Sequence, residues 1–212
     1  MLKFNRLVVV YLVTIIACSC LQLSVKAQRA SDQPDLLKPY TFCTFDDGLR
    51  VTKFERLPKS EIYSRGVQTA AGEKEITRID SYRILVAYPK TDAFANIRPE
   101  KSRPDAYIQD KQNAIEELKH LISTGKEMES DKPIKATYNG FESYGLNRRT
   151  LEIGNTVGVY ILFNDTDQTI TTIYFFNAKP KKRKFQTIEE WKTLRENFLN
   201  TYTRCINSNS GR

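Results

Sequence analysis

Hydrophobic and polar positions alternate with two different periods along this chain, and the switches between them mark its elements. Leu49 to Leu57 and Ile62 to Ala70 are β-like runs separated by Pro58 and Ser60. Ala71, Gly72 and Glu73 then turn the chain into a long run from Glu75 to Tyr88. Within it Tyr82, Ile84, Val86 and Tyr88 fall on one face and Arg83, Leu85 and Ala87 on the other, a strand pattern that Pro89 ends. The period changes from Asp105 to Thr124. At 100° per residue, Tyr107, Ile108, Ala114, Ile115, Leu118, Leu121 and Ile122 occupy an arc of roughly 120°, which predicts a helix with one buried stripe. Pro104 and Asp105 open it, and Gly125 is placed to close it.

After a charged loop around Lys126 to Lys132, strands are predicted at Ile134 to Tyr138, Phe141 to Leu146, Arg148 to Ile153, Val157 to Phe163 and Thr169 to Phe176. Asn139-Gly140, Gly154-Asn155 and Asn164-Asp165-Thr166-Asp167 separate them, so they read as consecutive antiparallel hairpins. Val157 to Phe163 is apolar on both faces apart from Gly158, the pattern of a central strand covered on both sides. In the final segment Thr187 and Glu190 form a capping box, and Ile188, Trp191, Leu194, Phe198, Leu199, Tyr202, Cys205 and Ile206 share one helix face. The fold class that follows is α+β, an antiparallel sheet of about six to eight strands packed against two main amphipathic helices.

The N-terminus carries a different signal. Lys3 and Arg6 precede an uncharged run from Leu7 to Ala17, and small residues lead up to Ala27. This is the layout of a secretory signal peptide over residues 1–27, and the apolar run is shorter than the roughly 20 residues a spanning helix needs. Two processing routes fit. Val25, Lys26 and Ala27 suit a general signal peptidase, with a mature start at Gln28, whereas Ile15-Ile16-Ala17-Cys18 resembles a bacterial lipobox whose Cys18 would carry lipid. The expectation is an exported protein, secreted or periplasmic, or alternatively a membrane-tethered lipoprotein. A polar leader or tether is expected at 28–39, one domain at 40–206 and a flexible tail at 207–212.

Composition narrows the chemistry. The chain has 212 residues, and 40% hydrophobic with 27% charged residues is a globular balance. Losing Lys3, Arg6 and Lys26 with the signal, and no acid, lowers the formal net charge from +8 to +5. So small an excess is no signature of specific nucleic-acid binding. Cys18 and Cys20 belong to the signal, which leaves Cys43 and Cys205 as the mature pair; in an oxidising compartment they are expected to form one disulfide.

The element order, the Tyr-Arg-Ile-Leu-Val-Ala-Tyr-Pro string at residues 82–89, the Asn139-Gly140 turn into the meander, the Ile-Thr-Thr-Ile-Tyr-Phe-Phe string at 170–176 and the closing amphipathic helix together resemble the Mog1/PsbP family, over roughly Tyr40 to Ile206. The resemblance implies an antiparallel sheet between helices. It also implies a non-catalytic binding or assembly role. No family binding residue maps onto a position of this chain.

Candidate chemistry is sparse. His120, the one histidine, falls about 160° from the centre of its helix's apolar arc and is expected to face water, so neither a zinc site nor a Ser-His-Asp triad is built around it. Asn164 to Asp167 lacks the glycine and closing glutamate of a calcium loop and reads as a turn. Ser123-Thr124-Gly125-Lys126 lacks the first glycine of a phosphate loop, because position 120 is His. No catalytic residue, metal or cofactor is therefore assigned. Lys179, Lys181, Lys182, Arg183 and Lys184 form a basic segment flanked by Phe176 and Phe185, a candidate contact for an anionic partner or surface. Membrane association is expected only with lipid at Cys18.

Two cations interrupt apolar faces, Lys111 in the first helix and Arg195 in the last. Either their stems snorkel, or each pairs with an inward carboxylate such as Glu142 or Glu152. The function expected is an exported, non-catalytic binding or accessory module of the cell envelope or extracellular space, its partner an unknown protein or an anionic surface. The alternatives are a secreted hydrolase working with a carboxylate pair among Asp46, Asp47, Glu142 and Glu152, and a lipidated envelope assembly protein.

Overall fold

The computed structural model describes residues 35–41, 43, 50–57, 63–68, 74–88, 91–100, 104–124, 128–152, 156–177 and 187–211. The chain divides into two units, 1–37 and 38–212. In the first, Asp35–Leu37 form a 3-10 turn. The second holds the short helix α1 (Lys38–Thr41), the strands, and two long helices, α2 (Pro104–Thr124) and α3 (Ile188–Ser210).

The strands are β1 (Arg50–Arg56), β2 (Tyr63–Gln68), β3 (Lys74–Ile79), β4 (Tyr82–Tyr88), β5 (Thr91–Pro99), β6 (Ile134–Tyr138), β7 (Phe141–Asn147), β8 (Thr156–Asn164) and β9 (Thr169–Phe176). Seven of them form one antiparallel sheet in the order β1-β4-β5-β9-β8-β7-β6, and β2 and β3 form a separate hairpin inserted between β1 and β4. The α+β class with two main helices is what the periodicity predicts. Helix α2 carries the chain from β5 to the far edge strand β6, and the meander β6-β7-β8-β9 returns to pair β9 with β5.

Several elements differ from their sequence reading. The run Glu75 to Tyr88 is two strands, broken at Asp80-Ser81, where Ser81 O accepts from Leu57 N at 2.9 Å and Asp80 pairs with Arg56 at 2.6 Å. β5 was not foreseen. Beyond one bridge from Arg148 to Met128, residues 149–152 form no strand, and β8 pairs directly with β7. The middle strand of the seven is β9, with β8 beside it. Helical structure reaches Ser210, so the segment read as a tail from 207 is helix for most of its length, and helical turns start at Asp35, inside the segment read as a leader.

Side chains alternate across the sheet, and each face takes one long helix. On one face Ile161, Phe163, Ile170 and Leu146 pack with Tyr107, Ala114, Leu118 and Ile122 of α2. The opposite face presents Tyr160 and Phe175 to α3, where Phe175 meets the rings of Trp191 at 5.2 Å and Phe198 at 4.9 Å, edge to face. Thr187 caps α3 by accepting from Glu190 N at 3.1 Å. Near the other end of α3, Cys205 is disulfide-bonded to Cys43, with Cα atoms 5.8 Å apart.

Candidate functional site

The apolar stripe of α2 is narrower than its sequence arc. Tyr107, Ala114, Leu118 and Ile122 are buried, but Ile108 is 59% exposed and Leu121 41%. Ile108, Lys111, Gln112 and Ile115, at i, i+3, i+4 and i+7, share a helix face. They form one wall of a groove of about 490 Å³ whose other walls are Glu142 and Tyr144 of β7 and Asp165 and Gln168 of the β8–β9 turn. Strand alternation sends Glu142 and Tyr144 to the α2 side with Leu146. The turn is held by Asn164, whose Oδ1 accepts from Asp167 N at 3.2 Å and whose Nδ2 donates to Tyr40 Oη at 3.1 Å. Gln168 takes a left-handed φ of 50°, and its carbonyl accepts from Glu100 N at 2.8 Å.

Charges alternate in sign along the groove and onto its β6 edge, where Lys135 stands outside the lining. Lys111 Nζ lies 2.6 Å from Glu142 Oε2 and 2.9 Å from Asp165 Oδ1, and over the Phe163 ring at 5.1 Å. Lys135 of β6 reaches Glu142 Oε1 at 2.8 Å and covers the Tyr144 ring at 5.3 Å. Tyr107 Oη donates to Asp165 Oδ1 at 2.6 Å, and Tyr144 Oη to Glu142 Oε1 at 3.1 Å. Lys111 is thus paired with an inward carboxylate, the sharper of its two sequence readings.

These contacts set the protonation states. Hydrogen bonds from Lys111 and Lys135 lower the Glu142 pKa to about 2. Burial by itself would lower the Lys111 pKa, but its bonds to Glu142 and Asp165 raise it overall. Burial, reinforced by the Asp165 carboxylate, pushes the Tyr107 phenol well above its ordinary value.

Arg195 is 7% exposed and does not snorkel. Its Nε donates to Glu196 Oε1 at 3.1 Å, and its guanidinium lies over the Tyr160 ring at 5.2 Å, so its carboxylate is its neighbour in sequence and neither Glu142 nor Glu152. Glu196 also accepts from Tyr138 Oη at 3.0 Å, and Tyr160 Oη donates to Asn147 Oδ1 at 2.8 Å.

The other sequence candidates fall in different places. His120 is exposed, and Glu152 is exposed and does not line the groove. Asp46, Asp47, Cys18 and the basic segment Lys179, Lys181, Lys182, Arg183 and Lys184 lie outside the described residues. The basic segment joins β9 to α3 past Asn177, which is buried and donates to Leu151 O at 2.6 Å. The carboxylate that sequence reasoning missed is Asp165, taken only as a turn residue. Its signal was the need of a cation inside an apolar arc for more than one acceptor.

Among the described residues no group of three or more His, Cys, Asp and Glu side chains is arranged to hold a metal ion, and no helix is long and apolar enough to cross a membrane. Compared with known protein families, curated proteins and solved structures, the chain shows no match to any of them.

Proposed function

We propose that this chain is an exported binding or accessory module that holds a partner in the groove between α2 and β7 without transforming it. The observation that carries this reading is the pairing of the groove's charges with one another. Glu142 stays ionised down to a pH of about 2 and each lysine is pinned to a carboxylate. General acid-base work at neutral pH calls for a group poised near neutrality, and a glycosidase-type acid calls for a raised carboxyl pKa, the opposite of what Glu142 has. Fixed charges beside exposed Ile108 instead suit recognition. The Cys43–Cys205 bridge fits an oxidising, exported setting, and the likeness to the Mog1/PsbP family points to the same kind of role.

The test uses the disulfide-bonded domain, ¹⁵N-labelled, mixed with short peptides and oligosaccharides. Binding is read as shifts at Tyr107, Ile108 and Tyr144, and the probes are recovered for mass spectrometry. Groove shifts with intact probes are expected. A probe that returns cleaved, with cleavage lost in Glu142→Gln, would overturn the reading in favour of a carboxylate hydrolase.

A further inference from the structure

We infer that the groove's ligand is a short extended peptide segment with a basic residue at one end, an acidic residue at the other and an apolar residue between them. This rests on the binding role proposed above and names the class of partner.

The first ground is which charges face outward. Along Lys135, Glu142, Lys111 and Asp165, the two middle side chains are 26% and 20% exposed, while Lys135 is 61% and Asp165 64% exposed. The inner pair is largely spent on itself. An ammonium has three donors, and Glu142 and Tyr144 take two of Lys135's; a carboxylate has about four acceptor sites, and Tyr107 and Lys111 occupy three at Asp165. A ligand in the groove therefore meets an anion with acceptor capacity, Asp165, at the turn end, and beyond Glu142 at the β6 edge, just outside the lining, a cation with donor capacity, Lys135. Complementarity requires the reverse pattern in the ligand.

Spacing and lining supply the second ground. Lys135, Glu142, Lys111 and Asp165 are linked in turn by contacts of 2.8, 2.6 and 2.9 Å, a run of alternating charge that a short extended segment, rising about 3.3 Å per residue, can follow. Ile108, the most exposed large apolar side chain described, stands at the groove with Ile115 and offers a seat for a central apolar residue. Gln112 and Gln168 bring amides that both donate and accept, as a peptide backbone does.

Two other ligand classes fit less well. A sugar stacks on an open aromatic face, but Tyr107 is 4% exposed and the Tyr144 ring is covered by Lys135. A polyanion would gain at Lys135 and lose at Asp165.

The experiment titrates the oxidised, ¹⁵N-labelled domain at low ionic strength with acetylated, amidated tripeptides: Lys-Leu-Glu, Glu-Leu-Lys, Lys-Leu-Lys, Glu-Leu-Glu and the neutral Gln-Leu-Gln. One mixed-charge order should bind about fivefold or more tighter than the neutral peptide, with exposed ion pairs contributing about two- to fivefold at each end. The preference should shrink as salt rises to about 0.15 M. Asp165→Asn should abolish the gain from the basic residue and Lys135→Gln that from the acidic one, with melting temperatures reported alongside because both side chains are largely exposed.

If neither mixed-charge peptide outbinds the neutral one, or if folded variants leave the preference unchanged, the inference is overturned. Groove shifts with maltotriose but with no peptide would overturn the peptide class and leave the binding role standing. Cleaved peptides would overturn both.

Discussion

Lys111 sits where its helix pattern calls for an apolar residue, and an unpaired cation there would cost several kcal/mol. Glu142 and Asp165 on one side and the Phe163 ring beneath remove that cost. Glu142→Gln should therefore destabilise the domain by about 1–2 kcal/mol, the full effect of the ion pairs being reduced by solvent at a partly exposed site. The pH dependence has a fixed sign. Because folding lowers the Glu142 pKa from 4.5 to about 2, its contribution is complete above about pH 4.5 and is lost as the pH falls through about 2. Urea denaturation between pH 5 and pH 2 should show a shallower acid decline in the variant, and an unchanged decline would remove Glu142 as its source. Lys111 was legible in sequence as an anomaly, and so was Glu142 as a partner. Asp165 was not, because it lies 54 positions from Lys111 and its turn chemistry already accounted for it. Packing hides other residues more completely. A Cβ at Gly145 would overlap the Tyr160 ring, which lies across that strand position. Gly145→Ala should displace Tyr160 from Asn147 and cost about 1–3 kcal/mol, read as a lower urea midpoint with an unchanged slope. No feature of the Gly-containing strand string reveals that contact.

Elements announced themselves in proportion to the strength of their periodicity. Both long helices were legible because each carries apolar residues through five or more turns. β5 has the alternation too, with Ala93, Ala95 and Ile97 buried and Phe94, Asn96 and Arg98 half-buried between them, but alanine, aspartate and asparagine are poor strand formers and Pro89 precedes it. Only pairing with β4 on one side and β9 on the other makes it a strand. Residues 149–152 show the converse, an apparent alternation that forms no strand where β8 already holds the edge of β7. The segment between β9 and α3 belongs to this scale. The described residues at its two ends are held by buried Asn177 and by the Thr187 cap. With those ends held, changing Lys179, Lys181, Lys182, Arg183 and Lys184 to Gln should leave the melting temperature within about 2 °C. Binding to vesicles rich in anionic lipid should weaken, and its salt dependence should flatten. Equal binding by variant and parent at low salt would make the segment a plain connector.

At the scale of the molecule, the sheet is assembled from two chain halves that meet where β5 pairs with β9, and the halves are also joined covalently. Cys43, just past α1, is bonded to Cys205 near the end of α3, closing a separation of 162 residues. The pairing followed from counting thiols once the N-terminal pair was set aside as signal. Its position against the core did not, and there Tyr202 donates to the Tyr40 carbonyl at 3.2 Å, tying α3 to α1 beside the bridge. On the chain-entropy account, a loop this long stabilises by about 4–5 kcal/mol, and Cys43 and Cys205 are 1% and 2% exposed, so mild reductant reaches the bond only through opening of the fold. The Cys43→Ser, Cys205→Ser double variant should lose about that much stability in urea, while its core spectrum stays native if it remains folded. Native material digested without reduction should yield one linked Cys43–Cys205 peptide, and the same digest reads the processed terminus, Gln28 for free secretion or lipidated Cys18 for tethering. Freely alkylated Cys43 and Cys205, together with an intact Met1, would sink both the bridge and the exported setting at once.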